Sequence, residues 1–172
     1  RRMNEMPTVS ALCDMYFANG TGTKKASTLS TDRGRVERHI KPLLGKRKIS
    51  AVTKVDLRQF LRHVADGKTA VDERTGLRGR AIVKGGKGTA TRTLGLLSGI
   101  LSYAVSLNLI PENPAHGVER FPDRKNERFL SMEELHVLGD ALRSAKAKGV
   151  NAKALAIIEL LILTGARRGE IE

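Results

Sequence analysis

The chain has 172 residues, enough for one or two domains, and 40% of them are apolar, as in folded globular proteins. Aromatic residues make up only 3% and tryptophan is absent, which argues against a β-sandwich and against a protein that stacks single-stranded bases on aromatic rings. The net charge of +13 lies entirely within residues 21–128, which hold 23 Lys and Arg against 10 Asp and Glu. Segregated charge of this kind indicates a surface for a polyanion; the alternative is a solvated basic face without a partner.

Apolar residues recur at helical spacing over most of the first 110 residues. The pattern predicts helices at about 8–18, 27–43 and 89–108, and another that begins after Thr53, where Asp56 completes a capping-box-like pair. The helix at 89–108 is apolar on most sides and is therefore expected at the centre of a four-helix bundle. Residues 67–88 lack a sustained period and hold six Gly and six Lys or Arg, which predicts a loop with possible short strand pairing around 81–83.

The second part of the chain is electrically neutral and begins after a polar, Pro-rich stretch. Residues 111–128 are predicted as a linker, and the capping box from Ser131 to Glu134 opens a new helix. A last helix with apolar residues at 154, 157, 158, 161 and 162 is expected to pack inward. The predicted fold is all-α, with domains at 1–110 and 129–172.

Several common kinds of site are not predicted. The single cysteine, Cys13, lies on an apolar helical stripe and is expected to be an inert core thiol. The four histidines are scattered without metal-ligand spacing, so we expect no metal and no cofactor. The Gly-rich GGKG at 85–88 lacks the phosphate-binding-loop pattern, and no apolar segment is long enough for a membrane span.

The sharpest motif is TGARRGEI at 164–171, which follows an apolar helical run. It resembles the first catalytic-arginine motif of the tyrosine recombinases, or phage integrases, usually T-G-x-R-x-x-E-[IL]. Three further phrases occur in the order typical of that family: GGKGTATRTLGLLSGILSYAV (85–105), LNLIPENPAHGV (107–118) and RFLSMEEL (128–135). The resemblance covers nearly the whole chain.

The resemblance implies a SAM-like core-binding bundle followed by the first two helices of an α+β catalytic domain. It implies Arg167 as a catalytic residue that contacts the scissile phosphate, with Thr164, Gly165 and Glu170 in support. A fixed guanidinium suits this role because it stays protonated and can hold two phosphate oxygens. In the family a tyrosine attacks the phosphate to form a 3′-phosphotyrosine link, without metal or cofactor. That tyrosine and the remaining catalytic residues are expected beyond residue 172, so this polypeptide is expected to bind DNA without cutting it.

The implied partner is duplex DNA with an attachment-type site, in the cytoplasm of a bacterium or as a phage-encoded protein, and other protomers in a tetramer. Phosphate contacts need Lys, Arg, small hydroxyls and helix N-termini. Candidate DNA contacts are, in order of preference, Lys84, Lys87, Thr89, Thr91 and Arg92; then Lys24, Lys25, Ser27 and Arg33; then Arg78 and Arg80. The alternatives are a stand-alone DNA-binding or architectural protein, and a helical RNA- or ribosome-binding protein, against which the lack of aromatic residues counts.

Overall fold

The computed structural model describes residues 6–77, 79–122 and 128–171. It divides into two compact units, Arg1–Asp123 and Arg124–Glu172, which are described separately. The first unit contains α1 (Val9–Asn19), α2 (Ala26–Arg35), a π-helical turn (Val36–Ile40), α3 (Lys41–Leu44), a 3-10 turn (Ile49–Ala51), α4 (Lys54–Ala65), strands β1 (Val71–Gly76) and β2 (Gly79–Val83), and α5 (Lys87–Ser106). The chain is therefore mostly helical, but the expectation of an all-α fold is wrong because the two strands pair.

Two helix starts follow directly from local sequence. The Thr8 hydroxyl accepts a hydrogen bond from the Ala11 amide at the start of α1. At α4, Thr53 and Asp56 form a complete capping box, in which each side chain binds the other residue's amide. These bonds satisfy amides that have no partner within the helix, and the pair at Thr53 and Asp56 is the one that the sequence predicted.

The predicted second helix is a single run interrupted by the π-helical turn. The Lys41 amide donates to the carbonyl of Val36, five residues back rather than four. Pro42 follows at once, and a proline removes an amide and crowds the carbonyl four residues before it, so the wider turn falls where an ordinary one would be strained. The turn leaves His39 only 3% exposed, with Nδ1 2.6 Å from the Thr69 hydroxyl.

Helix α5 is the centre of the first unit. Its residues Leu94, Leu97, Ile100, Leu101 and Ala104 are at most 1% exposed. It packs against α1, α4 and the π-helical turn, which is why a helix apolar on most sides is stable here. Cys13 lies in the same core, and burial raises the pKa of its thiol to about 12, so it is the inert core thiol that the sequence predicted.

The strands form an antiparallel hairpin whose base is fixed to the helices. Val71 pairs with Val83 and Arg74 with Arg80, and a register shift follows between Arg74 and Gly76. Thr69, just before β1, holds the His39 contact, and Glu73 lies 3.6 Å from Nε of Arg38. The hairpin lies inside the stretch that the sequence predicted as a loop.

The stretch after α5 packs back along that helix. Helix α5 ends at Ser106, close to the predicted end at 108, and Asn108 just beyond it adopts a left-handed conformation (φ 55°). Asn113 is buried, and its amide nitrogen donates to the Ser98 carbonyl (2.9 Å) and the Ser102 hydroxyl (2.8 Å). Further along, the Phe121 carbonyl accepts from the Thr91 hydroxyl at 3.4 Å. Residues 107–121, here called the strap, thus lie along α5 and include the first part of the linker predicted at 111–128.

The second unit consists of α6 (Met132–Ala147), α7 (Ala152–Thr164) and the short α8 (Arg168–Ile171). The predicted capping box at Ser131 and Glu134 is present, and Gly165 ends α7 in a left-handed conformation (φ 63°). Leu155 is buried, but Ile157, Ile158 and Ile162 are 39–40% exposed. Within the second unit these three side chains are therefore not packed inward as expected, although α7 contacts both α6 and α8.

Within the described ranges, no helix is long and apolar enough to cross a membrane, and no group of acidic, His or Cys side chains could hold a metal ion.

The buried His39 predicts a pH-dependent stability. Desolvation, with smaller contributions from Arg38 and Arg35, lowers the pKa of His39 below the ordinary value of 6.5. The unfolded chain therefore binds a proton first as pH falls, and stability present above about pH 6.5 declines below it. Denaturant unfolding of wild type should show this decline, and His39→Asn should reduce it. The same substitution at the exposed His116 should leave it unchanged.

Candidate nucleic-acid interface

The N-terminus of α5 carries the strongest group of predicted contacts. Its N-cap residue is Gly86 (φ 92°), and among the described residues no side chain caps this end. The first amides of the helix therefore point outward without a partner within the helix, and they carry the partial positive charge of the helix dipole. Lys84, Lys87 and Arg92 are exposed around them. The structure thus brings three cations and a helix N-terminus together, an arrangement suited to a phosphate group.

Two glycines fix the position of this helix end. Gly85 has φ 78°, and a Cβ atom there would lie 2.4 Å from the Val64 carbonyl oxygen, so only glycine fits. The Gly86 amide donates to the Ala65 carbonyl at 3.2 Å. The connection from β2 into α5 is therefore held against the end of α4.

The two threonines of this group differ in what their hydrogen bonds involve. Thr89 is half-buried, and its carbonyl accepts from the Thr93 hydroxyl at 2.7 Å. The Thr91 hydroxyl donates to the Phe121 carbonyl in the strap. Lys87 also touches the strap, with Nζ 5.6 Å from the centre of the Phe121 ring. The end of the strap, at Phe121, therefore contacts the N-terminal part of α5 that carries this basic group.

In the second predicted group, at the start of α2, one side chain is held by an ion pair within the fold and the others are exposed. Lys24 Nζ lies 2.6 Å from the carboxylate of Asp32, which is 4% exposed and also pairs with Arg35 at 3.1 Å. Lys24 also sits over the Tyr16 ring at 5.3 Å. Burial acts to lower the pKa of Lys24, but hydrogen bonds to Asp32 and Tyr16 outweigh it and raise that pKa. Lys24 therefore closes the turn between α1 and α2.

The remaining members of that group are exposed. Lys25 is the N-cap residue of α2, and its side chain and that of Ser27 face outward. Arg33 is also exposed, with its guanidinium 4.6 Å from the centre of the Phe17 ring. Lys25, Ser27 and Arg33 thus remain available for an anion, whereas Lys24 is committed to Asp32.

The two groups lie at opposite ends of α5. Lys24 contacts Tyr16, whose ring is 5.6 Å from that of Tyr103 near the end of α5. Tyr103 is 16 residues beyond Lys87, or about 24 Å along a helix. That length equals the axial rise of roughly seven base pairs of duplex DNA. The structure therefore does not merge the two groups into one patch.

The third predicted group lies in the hairpin. Arg80 is exposed and donates two hydrogen bonds to Asp72, from Nε at 2.7 Å and from a terminal nitrogen at 2.5 Å. These bonds lower the pKa of the Asp72 carboxyl. Arg78 lies outside the described residues. Arg74 was not among the predicted contacts. It lies directly opposite Arg80 in the strand register, and in the sequence only its position within a basic stretch pointed to it.

The recombinase-like motif forms the turn between α7 and α8. Thr164 and Gly165 end α7, and the Ala166 amide donates to the Thr164 hydroxyl at 3.3 Å. The Arg167 side chain is 90% exposed. Glu170 accepts from the Arg167 backbone amide at 2.8 Å and lies 3.4 Å from its guanidinium. The carboxylate therefore caps α8 and steadies Arg167 at the same time.

The pairing of Lys24 predicts a contrast between two adjacent lysines. Lys24→Ala should lower the free energy of unfolding by about 1–2 kcal/mol, because it removes a charged hydrogen bond from a buried carboxylate. Lys25→Ala, at an exposed side chain, should change it little. Urea denaturation followed by circular dichroism measures both variants, and equal stabilities would show that the Lys24–Asp32 pair does not support the fold.

Comparison with known proteins bears on this arrangement. Residues 8–64 match the family model described as the phage integrase N-terminal SAM-like domain. Among solved structures, the chain is similar to the integrase-like domain from Bacillus cereus, determined by solution NMR, at a TM-score of 0.54 and 19% identity, over 74% of this chain and 93% of that one. At that identity the likeness shows the fold alone. A comparison with curated proteins found no match. The family match runs from just before α1 to near the end of α4, and the solved structure supports the fold over most of the chain.

Proposed function

We propose that the first unit is the DNA-binding domain of a site-specific tyrosine recombinase and that it grips duplex DNA through the N-terminus of α5. The observation that carries this proposal is the uncapped helix end with Lys84, Lys87 and Arg92 exposed around it. Amides and cations aimed at one point bind a phosphate by charge-assisted hydrogen bonds. Such contacts orient a protein on DNA without reading its sequence.

Lys25, Ser27 and Arg33 supply a second phosphate contact in this proposal. They lie near the opposite end of α5, so the helix acts as a spacer of about 24 Å between the two contacts. Two contacts set by one rigid helix fix the direction of the duplex as well as its distance. The net charge of the chain, +13, supports association with a polyanion.

For the second unit we propose that Arg167 is the first catalytic arginine of the recombinase. In the whole enzyme a tyrosine hydroxyl attacks the scissile phosphate, the 5′-oxygen leaves, and a 3′-phosphotyrosine link results. The exposed guanidinium would bind the non-bridging oxygens, where negative charge grows in the transition state. Tyr16 is 7% exposed in the core and packs against Tyr103, so neither ring supports a role as the nucleophile.

The partners proposed are duplex DNA with an attachment-type site and further protomers in a tetramer, working in the cytoplasm. The alternative is a stand-alone DNA-binding or architectural protein, which needs the first unit only. The turn at Arg167 favours the enzyme, because a protein that only binds DNA has no use for a guanidinium braced by Glu170 at a helix junction.

Direct binding measurements test the proposed interface. Lys87→Ala and Arg92→Ala should each weaken binding to a mixed-sequence duplex about tenfold, because each removes a charged contact. Each should also make the slope of log K against log salt less negative by about 0.9. Fluorescence anisotropy over a series of salt concentrations measures both quantities.

Arg58→Ala is the matched control, since Arg58 is exposed in the middle of α4 and its loss changes the net charge equally. If the control weakens binding as much as the two variants do, general charge rather than the α5 end carries binding. A wild-type affinity that does not respond to salt would contradict DNA binding through phosphates altogether.

The proposed role of Arg167 is tested in a recombinase that also carries the nucleophilic tyrosine. Arg167→Ala there should abolish strand cleavage on a nicked suicide duplex while binding changes less than about threefold, because the lost contact forms mainly in the transition state. Equal loss of cleavage and binding would identify Arg167 as a structural residue. The 172-residue chain itself should bind the duplex without forming a covalent adduct.

A further inference from the structure

The outer face of the β1–β2 hairpin carries one arginine, Arg74, whose charge no described residue pairs with. Alternation along the strands places Asp72, Arg74, Arg80 and Ile82 on one face, and Arg74 stands directly opposite Arg80. Asp72, Arg74 and Arg80, with the turn residues, line an open concavity of about 700 Å³. Like charges directly opposite each other across a ladder destabilise a hairpin, so this pair has a cost in the free protein.

The hairpin is nevertheless held firmly at its base. The Thr69 hydroxyl, 6% exposed, contacts His39 Nδ1 at 2.6 Å, and Glu73 pairs with Arg38 at 3.6 Å. On the other strand, Gly85 is wedged against the Val64 carbonyl. A two-stranded hairpin alone is marginally stable, so these contacts hold the outer face in one orientation.

We propose that the outer face of the hairpin is a third contact for duplex DNA, in addition to the α5 end and the group at α2, and that Arg74 holds a backbone phosphate there. This inference rests on the proposed function, since it needs a duplex already bound at the N-terminus of α5. A phosphate beside Arg74 would also offset the repulsion between the two opposed guanidinium groups.

Of the two arginines on this face, one has a carboxylate partner and the other does not. Asp72 accepts two hydrogen bonds from Arg80, filling one edge of that guanidinium as a phosphate would. Arg74 has no ion-pair partner among the residues that the structure describes. Asp72 also adds negative charge to the face, so it weakens the attraction of this face for DNA.

The hairpin is long enough to reach a second site on the duplex. Lys84, Gly85 and Gly86 join β2 directly to the α5 end. Five residues of extended strand span about 17 Å, more than the roughly 12 Å width of the major groove. A hairpin of this length, joined directly to the α5 end, is long enough to reach a phosphate across that groove.

Four variants of the 172-residue chain test the inference on one mixed-sequence duplex: Arg74→Ala, Asp72→Asn, Lys87→Ala and the control Arg58→Ala. Arg74→Ala should weaken binding about tenfold and make the salt slope less negative by about 0.9. Asp72→Asn should strengthen binding several-fold, a gain that cannot come from misfolding. Arg58→Ala should have a much smaller effect.

The outcomes separate this inference from the proposed function. If Lys87→Ala weakens binding but Arg74→Ala matches the control and Asp72→Asn gives no gain, the hairpin contact is refuted and the α5 interface stands. If the wild type does not bind the duplex, both are refuted. If Arg74→Ala alters only self-association in sedimentation runs, the hairpin contacts another copy of the chain and the inference is overturned.

Discussion

The burial of α5 is the constraint from which the rest of the first unit follows. A twenty-residue helix that is apolar on most sides must be covered on most sides. Helices α1 and α4 and the π-helical turn cover part of it, and the strap covers more by running back along it. The first of the proposed phosphate contacts lies at the N-terminal end of this helix, and Lys25, Ser27 and Arg33 at α2 lie near its other end.

Two glycines determine where the hairpin and the start of α5 lie on this core. Gly85 lets the chain pass within van der Waals distance of α4, and Gly86 begins α5 without a side chain over its amides. The same short connection sets where the hairpin leaves the core. A side chain at position 85 would displace the hairpin and the helix start together, so the two proposed DNA contacts share one support.

The sequence predicted those features that local spacing encodes. Helix positions follow from apolar periodicity, and the capping boxes at Thr53 and Ser131 follow from a three-residue pattern. The hairpin was missed as a defined element because its strands carry charges on both faces and give no alternation. The role of Lys24 depends on the burial of its partner Asp32, and the position of the strap depends on contacts such as that between Asn113 and Ser98. A local sequence pattern does not predict either one. Whether the predicted site residues bind DNA stays a prediction.

The strap has a thermodynamic consequence for DNA binding. Lys87 sits over the Phe121 ring, and Thr91 of the same helix turn holds the Phe121 carbonyl. A phosphate that draws Lys87 outward removes one of the contacts that keep the end of the strap in place. If the proposed phosphate contact at Lys87 loosens Phe121, linkage requires that any event loosening Phe121 change the affinity at Lys87 by the same factor. In the proposal, the bound state of Lys87 and the position of the strap are therefore coupled within the first unit.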